Sequence, residues 1–341
     1  MRDTTQGNDC NEARSLTSIS PQVSVIICTK DRPAELARCL DSLASQVTQP
    51  AEVVIVDASS VAAEEVVDDF RSKVEPDCNV ILLRASPGLT RQRNIGVEAS
   101  SGAIVLFLDD DTVLDATYVK EIAAVYEQDP ESKIGGAGGA VISGPVSGGS
   151  WLSRGFRRVF FLENIGLGRV KRSGHAELVF SPRKLLRVEF LSGCNMSYRR
   201  EVFGRFQFDE RLAGYALGED LHFSYAVSRH WQLVLTPDAR LQHREAGSGR
   251  PGTKDKAEMA VLHHLLFFRE QVVTGPLDWL CYFWSLVGGL LLTLRHPGEG
   301  RLAGVVQGYR RVAVMLMDRR TSIDSDSLAR RTSMWRKESS T

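Results

Sequence analysis

Four apolar runs constrain the fold of this chain more than any other feature. They are Val23-Ser24-Val25-Ile26-Ile27-Cys28, Glu52-Val53-Val54-Ile55-Val56-Asp57, Val80-Ile81-Leu82-Leu83 and Gly102-Ala103-Ile104-Val105-Leu106-Phe107-Leu108. All are rich in β-branched or aliphatic residues, as strands covered on both faces are. Between them the period becomes helical. Leu36, Leu40 and Leu43 recur in ELARCLDSLASQ, with Pro33 suited to a first helical turn. Further helices are predicted through EEVVDDFRSKV and around RQRNIGVEAS. This alternation with short connections predicts an α/β domain on a mostly parallel sheet, helices on both faces. Ligands of such sheets sit off the carboxyl ends of the strands. Thr29, Asp57 and the run Asp109, Asp110, Asp111 all fall at those ends.

The fourth strand runs directly into three carboxylates. Side chains alternate along an extended segment, so Asp109 and Asp111 can face one way and Asp110 the other. Two carboxylates about 6 Å apart repel by roughly 3 kcal/mol at an effective dielectric near 20. A cation between them removes that cost, and hard oxygen ligands beside open space suit Mg²⁺ or Mn²⁺ with sites left for phosphate. The plainer alternative is that the acids cap a helix beginning near Asp115. A calcium loop of the EF-hand kind lacks its glycine and distal glutamate here. A second pair, Glu219-Asp220, opens a predicted helix whose Leu221, Tyr225 and Val227 would face inward. Acids in a first turn gain about 0.3–1 kcal/mol from the helix dipole alone. The functional alternative is a general base that the helix N-terminus keeps ionised.

Beyond residue 134 the pattern changes. GGAGGAVISGPVSGGS predicts a strand, and the basic, aromatic, aperiodic stretch after it predicts a flexible insertion over about residues 144–186. Order is expected again from VEFLSGCNMSYRREVF through the helix GEDLHFSYAVSRH to WQLVLTPDARLQH. Residues 1–21 and 321–341 read as disordered tails, and the first has no apolar h-region, so no signal peptide is expected. Six scattered cysteines without paired spacing read as reduced thiols in a cytoplasmic setting. Lys+Arg and Asp+Glu balance at 42 each, so no global charge argues for nucleic acid as partner.

The fragments VSVIICTKDRPAELARCLDSL, VVIVDASS, GLTRQRNIGVEASSGAIVLFLDDDT, FLSGCNMSYRREVF and FDERLAGYALGEDLHFSYAV, in that order, resemble the inverting glycosyltransferases of family 2, with the GT-A fold. The resemblance covers roughly residues 22–245. It departs at Asp31, where Asn is usual before the first Arg, and at Ala58, where a second acid commonly follows Asp57. It implies a domain over residues 22–250 that moves a sugar from a nucleotide-diphosphate donor, by default a UDP-sugar, to a hydroxyl of a glycan or lipid-linked acceptor. Thr29, Arg32, Asp57, Arg93, Asp109, Asp110 and Asn195 would then form the nucleotide-sugar site, Asp57 at the base edge and Asn195 toward sugar and acceptor. Asp111 and Asp109 would hold Mn²⁺ or Mg²⁺ against the diphosphate. His243 would complete the metal shell, a solvated or core histidine being the alternative; Arg244 and Arg250 could instead clamp phosphate. Asp220 is the implied general base, with Glu219 a second candidate.

Rival readings are testable against the same residues. A nucleotidyltransferase would carry a Gly-rich basic loop after the first strand, where CTKDRP has no glycine. A nicotinamide dehydrogenase would show GxGxxG there, and GGAGGA lies far downstream. A non-catalytic sugar-nucleotide- or glycan-binding relative stays open, with the joint retention of the acidic run and Asp220 counting against it.

Residues 257–320 read as an apolar, then basic, helical extension. The stretch 277–294, LDWLCYFWSLVGGLLLTL, spans roughly 27 Å as a helix. Trp279, Tyr282 and Trp284 suit an interface, and Arg295, Arg301, Arg310 and Arg311 follow. A single span, a shallow helix on the membrane and packing on the domain are the three arrangements. Either membrane arrangement would set a cytoplasmic enzyme at the inner face of the cell membrane, as in bacterial surface-polysaccharide or glycolipid assembly.

Overall fold

The computed structural model describes residues 21–143, 150–244, 251–296 and 298–317. Of the tails expected at 1–21 and 321–341, residues 1–20 and 321–341 lie outside them, as does Arg250. Elements β1 (Val23–Thr29), α1 (Pro33–Ala44), β2 (Glu52–Asp57), α2 (Glu64–Arg71), β3 (Asn79–Arg84), α3 (Leu89–Ala99) and β4 (Ile104–Asp109) alternate as the periodicity requires. They are followed by β5 (Thr112–Leu114), α4 (Tyr118–Glu127) and β6 (Ile134–Val141). Residues 150–188 carry α5 (Trp151–Val159), β7 (Asn164–Ile165), β8 (Glu177–Leu178) and β9 (Leu186–Val188). Then come β10 (Met196–Arg199), α6 (Glu219–Ser228) and β11 (Gln232–His243).

Nine strands form one sheet in the order β3-β2-β1-β4-β10-β6-β11-β5, with β9 beside β11. Strands β1 to β4 pair in parallel, and β10 enters antiparallel between β4 and β6. Alternation along β1 splits the core. Val25 and Ile27 pack with Leu36 and Leu40 of α1 on one face, while Ile26 joins Phe107, Tyr198 and Phe223 on the other. Burial on both faces is why the sequence shows unbroken apolar runs.

The glycines of β6 have a packing role. A Cβ at Gly139 would lie 2.5 Å from the Ala239 carbonyl oxygen and 2.7 Å from the Tyr118 ring. Their absence of side chains lets β11 and α4 close on the strand. Strand β11 shifts register between Leu235 and Arg240, around Pro237, and its far half pairs with β5, setting His243 opposite Thr112. That shift carries one end of the chain's last strand to the acidic run.

Helix α6 corrects the expected inner face: of Leu221, Tyr225 and Val227 only Val227 is buried. His222, Phe223 and Ser224 are buried instead, because α6 is covered on two sides: Phe223 by the sheet-side core and His222 by the Phe267 ring. The chain ends in α7 (Thr253–Phe267), a π turn over Phe268–Val272, α8 (Pro276–Arg295) and α9 (Arg301–Met317). These helices share a core of Leu265, Phe268, Tyr282 and Val312. They dock on the segment before α6 through Leu266 against Leu212 and Ala216, and through Arg211 against Glu270. Among the described residues α8 is the one helix long and apolar enough to cross a membrane by length and composition.

Candidate active site

The carboxyl ends of β1 and β4, the start of α3, residues 192–194, the N-terminus of α6 and the end of β11 enclose a cavity of about 770 Å³. The three acids of the run divide as expected, Asp110 one way and Asp109 and Asp111 the other, although Asp110 and Asp111 form the turn between β4 and β5 and are not in a strand. Asp110 turns back into the fold, accepting from Thr29 Oγ1 at 2.8 Å and Arg32 Nη1 at 3.1 Å. Burial pushes its carboxyl up to about 6, with Thr29 and Arg32 opposing. Asp109 and Asp111 face the other way, toward His243. His243 Nε2 lies 3.0 Å from Asp111 Oδ1 and 3.8 Å from Asp109 Oδ2. One ligand atom from each of the three lies within 4.8 Å of the others. Two carboxylates and an imidazole at this spacing have the donor chemistry to hold a divalent cation. Burial opposes a charge on His243, yet its hydrogen bonds to Asp111 and Cys194 outweigh that and hold its pKa up, at about 11.

On the opposite wall Arg93, with a side chain 3 % exposed, is bonded to Glu219. Its guanidinium also donates to the Gly193 carbonyl at 3.2 Å, lies 3.6 Å from Asp109 and rests on the Phe208 and Phe107 rings. Burial pushes the Glu219 carboxyl up to about 8, with Arg93 opposing. Asp220 is placed differently. Its Oδ2 accepts from the Gly193 N–H at 2.9 Å and its Oδ1 from the Leu221 N–H at 2.8 Å. No salt bridge to a described residue occupies it. Gly218, at φ +85°, makes the sharp entry that starts the helix beneath both acids.

Thr29, Arg32, Arg93, Asp109, Asp110, Asp111, Glu219, Asp220 and His243 thus come together on one cavity wall or another. Asp57 and Asn195 do not line it. Asp57 is fully buried, accepting from the Ser59 and Ala63 N–H groups and pairing with Arg84 at 2.6 Å. Asn195 donates to the Gly139 carbonyl at 2.9 Å. Arg244 meets the site through its backbone, its N–H donating to the Asp111 carbonyl at 3.0 Å. Two contributors were not singled out from sequence. Gln92, beside Arg93, ties the ends of β1 and β2 by donating to Thr29 O and Val56 O. Gly193 offers both backbone groups to the two key side chains, and nothing in a residue's identity signals that.

Comparison with known proteins gives a consistent set. Residues 24–206 match the family model described as Glycosyl transferase family 2. A glucosyl-dolichyl phosphate glucuronosyltransferase of Haloferax volcanii is 24% identical over 288 residues, covering 81% of this chain and 79% of that protein. Staphylococcus aureus TarS 1-349, solved in complex with UDP-GlcNAc, superposes with a TM-score of 0.54 at 17% identity, over 84% of this chain and 79% of that one. The mannosyltransferase PcManGT of Pyrobaculum calidifontis, solved with GDP-Man and Mn²⁺, gives 0.51 at 16% identity, over 93% and 81%.

Proposed function

This chain belongs to glycosyl transferase family 2, and from that premise we propose that it transfers a sugar from a nucleoside-diphosphate donor to an acceptor hydroxyl with inversion at the anomeric carbon. The observation that carries this reading is the division of one cavity between a trio with cation-ligand chemistry, Asp109, Asp111 and His243, and a carboxylate, Asp220, that forms no salt bridge with a described residue. Asp109, Asp111 and His243 are the residues that would hold the metal, and the imidazole tilts the set toward Mn²⁺ over Mg²⁺. When bound, the ion supplies charge neutralisation for a departing diphosphate.

The remaining chemistry falls to the chain's own groups. Arg32, held by Asp110, presents positive charge at the donor end. Asp220 sits in the first turn of α6 and accepts the proton of the attacking hydroxyl. The hydroxyl oxygen bonds to the anomeric carbon as the bond to the diphosphate breaks on the opposite face. A two-step route needs an activated nucleophile, and the cavity-lining Cys28 thiol is pushed by burial up to about 12. Asp57 lies behind the wall, so base recognition would run through the backbone it holds, Ser59 and Ala63.

For the donor, UDP- and GDP-sugars are both candidates, the two nucleotides carried by the solved structures of the same fold. For the acceptor we propose a lipid-linked sugar, as the name of the Haloferax relative describes for that protein, taken at the inner face of the cell membrane in surface-polysaccharide or glycolipid assembly. The test is release of nucleoside diphosphate from each donor with a polyprenyl-phosphate-linked sugar, with Mn²⁺ and with EDTA. Product of inverted configuration and a loss of about 10²–10⁴-fold in turnover for Asp220→Asn are expected. A product of retained configuration, or full turnover in that variant, would refute the proposal.

A further inference from the structure

Helix α8 has two unlike faces. Asp278, Tyr282, Ser285, Gly288 and Thr293 are buried against the protein. Leu277, Leu280, Phe283, Val287, Leu291 and Leu294 are exposed, and at 100° per residue they fall within an arc of about 120° on the opposite side. Helix α5 is a second such element. None of its residues is buried. Trp151, 73 % exposed, Leu152 and Val159 fall within an arc of about 100°, and Arg154, Arg157 and Arg158 fill the arc beside it, with Arg158 next to Trp151. The two helices touch: Trp284 Nε1 donates to the Val159 carbonyl at 2.9 Å, and the Trp284 and Phe160 rings stack at 4.7 Å. Gly288 leaves the space that Phe160 fills.

We propose that α5 and the outer stripe of α8 form one docking face that lies flat on an anionic lipid bilayer. It rests on the reading above, of a lipid-linked acceptor taken at the membrane, and names the surface that meets it. Charge identifies the occupant. The chain as a whole is neutral, but residues 150–188 hold nine Lys and Arg against two Asp and Glu. A surface helix whose arginines flank an exposed arc of Trp, Leu and Val, beside an exposed apolar stripe, matches anionic headgroups over acyl chains. The same contacts argue against a span. Tyr309 Oη donates to the Leu286 carbonyl at 2.6 Å, at the middle of α8, and Arg310 and Arg311 next to it are exposed. A spanning α8 would carry both guanidiniums to the bilayer centre, the costliest depth for a charge. Docking in the plane keeps them in water.

Flotation of the full chain with vesicles of phosphatidylcholine, alone or mixed with phosphatidylglycerol, tests this. Binding to the mixed vesicles is expected, released by high salt and by alkaline carbonate. Arg154→Gln with Arg158→Gln should bind about thirtyfold more weakly, about fivefold per arginine, and Leu280→Asp should abolish binding. Thermal shifts with UDP or GDP and Mn²⁺, without vesicles, are read on the same proteins, so failure of the donor site and failure of the docking face are told apart. Carbonate-resistant binding would overturn the in-plane arrangement. Equal binding to neutral vesicles, unaffected by the arginine changes, would overturn the charge argument. A chain that binds neither vesicle and is a dimer that Leu280→Asp dissociates would assign the face to a second copy, and a folded monomer that binds neither would likewise overturn the proposal.

Discussion

Glu219 and Asp220 are adjacent acids in one helical turn, and exchanging each for its amide separates their roles. Asp220 makes two bonds to backbone N–H groups and lines the cavity. Asparagine keeps an oxygen for the Gly193 N–H but cannot take a proton. Removing a general base costs about 10²–10⁴ in turnover, roughly 2.7–5.5 kcal/mol of barrier, with the fold intact. Glu219 is instead bonded to buried Arg93, and glutamine keeps an acceptor for that guanidinium. Its effect should appear in pH-dependent stability. The folded-state pKa of Glu219 is raised from 4.5 to about 8. A raised acid contributes stability that is complete below the unfolded value and is lost as pH rises through the folded one. Wild type should therefore lose up to about 1.4 kcal/mol per pH unit between pH 5 and 8 relative to Glu219→Gln, while turnover of that variant stays within about tenfold. Urea denaturation across that range, with turnover at a fixed temperature, reads both effects. Turnover lost in Glu219→Gln and kept in Asp220→Asn would reverse the assignment, and parallel pH profiles would refute the burial argument for Glu219.

Three further outcomes follow from the geometry. Mn²⁺ at a hundred times its dissociation constant should stabilise the fold by about 2.7 kcal/mol, which at about 2.1 cal/mol/K for each of 341 residues raises the melting temperature by roughly 4 °C; EDTA and Asp111→Asn should each abolish the rise in scanning calorimetry. Burial lowers His222 and His264 from 6.5 to about 4, so the stability tied to their neutral forms is present above pH 6.5 and is lost as pH falls toward 4. Denaturant midpoints should fall across that window, and replacing either histidine with Gln should flatten the fall by up to about 1.4 kcal/mol per pH unit. Gly139→Ala should cost about 1–3 kcal/mol by overpacking, since its Cβ meets a backbone oxygen that cannot swing away; an unchanged urea midpoint would contradict the close approach of β6 and β11.

How far the sequence discloses the site depends on what holds each residue. The strands β1 to β4 are legible because both faces of each are buried, so their apolar runs are unbroken. The split of the acidic run falls as alternation suggests, but its cause is not extended backbone: Asp110 and Asp111 form the turn between β4 and β5. His243 is 132 residues from Asp111, and only the register shift near Pro237 brings the two within 3.0 Å; spacing could suggest a histidine but not its distance. Asp57 and Asn195 have the right chemistry for ligand contact, but the fold uses their hydrogen-bonding capacity on loop and strand backbone. Gln92 and Gly193 act through or upon main-chain groups, which residue identity does not advertise. Helix α5 is short and buries nothing, so its aromatic and basic residues read as aperiodic until α8 supplies Trp284 as the neighbour that covers Phe160.

Three consecutive carboxylates at a strand end are sustainable because they do not share one task. Asp110 gives its charge to the scaffold: its bonds to Thr29 and Arg32 fasten the turn after β4 to the end of β1 and the start of α1. Thr112 Oγ1 and Cys39 Sγ bond to the Asp109 carbonyl, and the Arg244 N–H to that of Asp111, so the backbone on either side is held as well. With that turn fixed, Asp109 and Asp111 stand close together at no choice of their own, and their repulsion is offset in the folded chain by His243 on one side and Arg93 on the other. A divalent cation would replace the offsetting charge of His243 without moving the backbone. A site so arranged is preorganised for the ion because much of the cost of assembling the acids has been met by Thr29, Arg32, Asp110 and Arg93, which take no part in binding it.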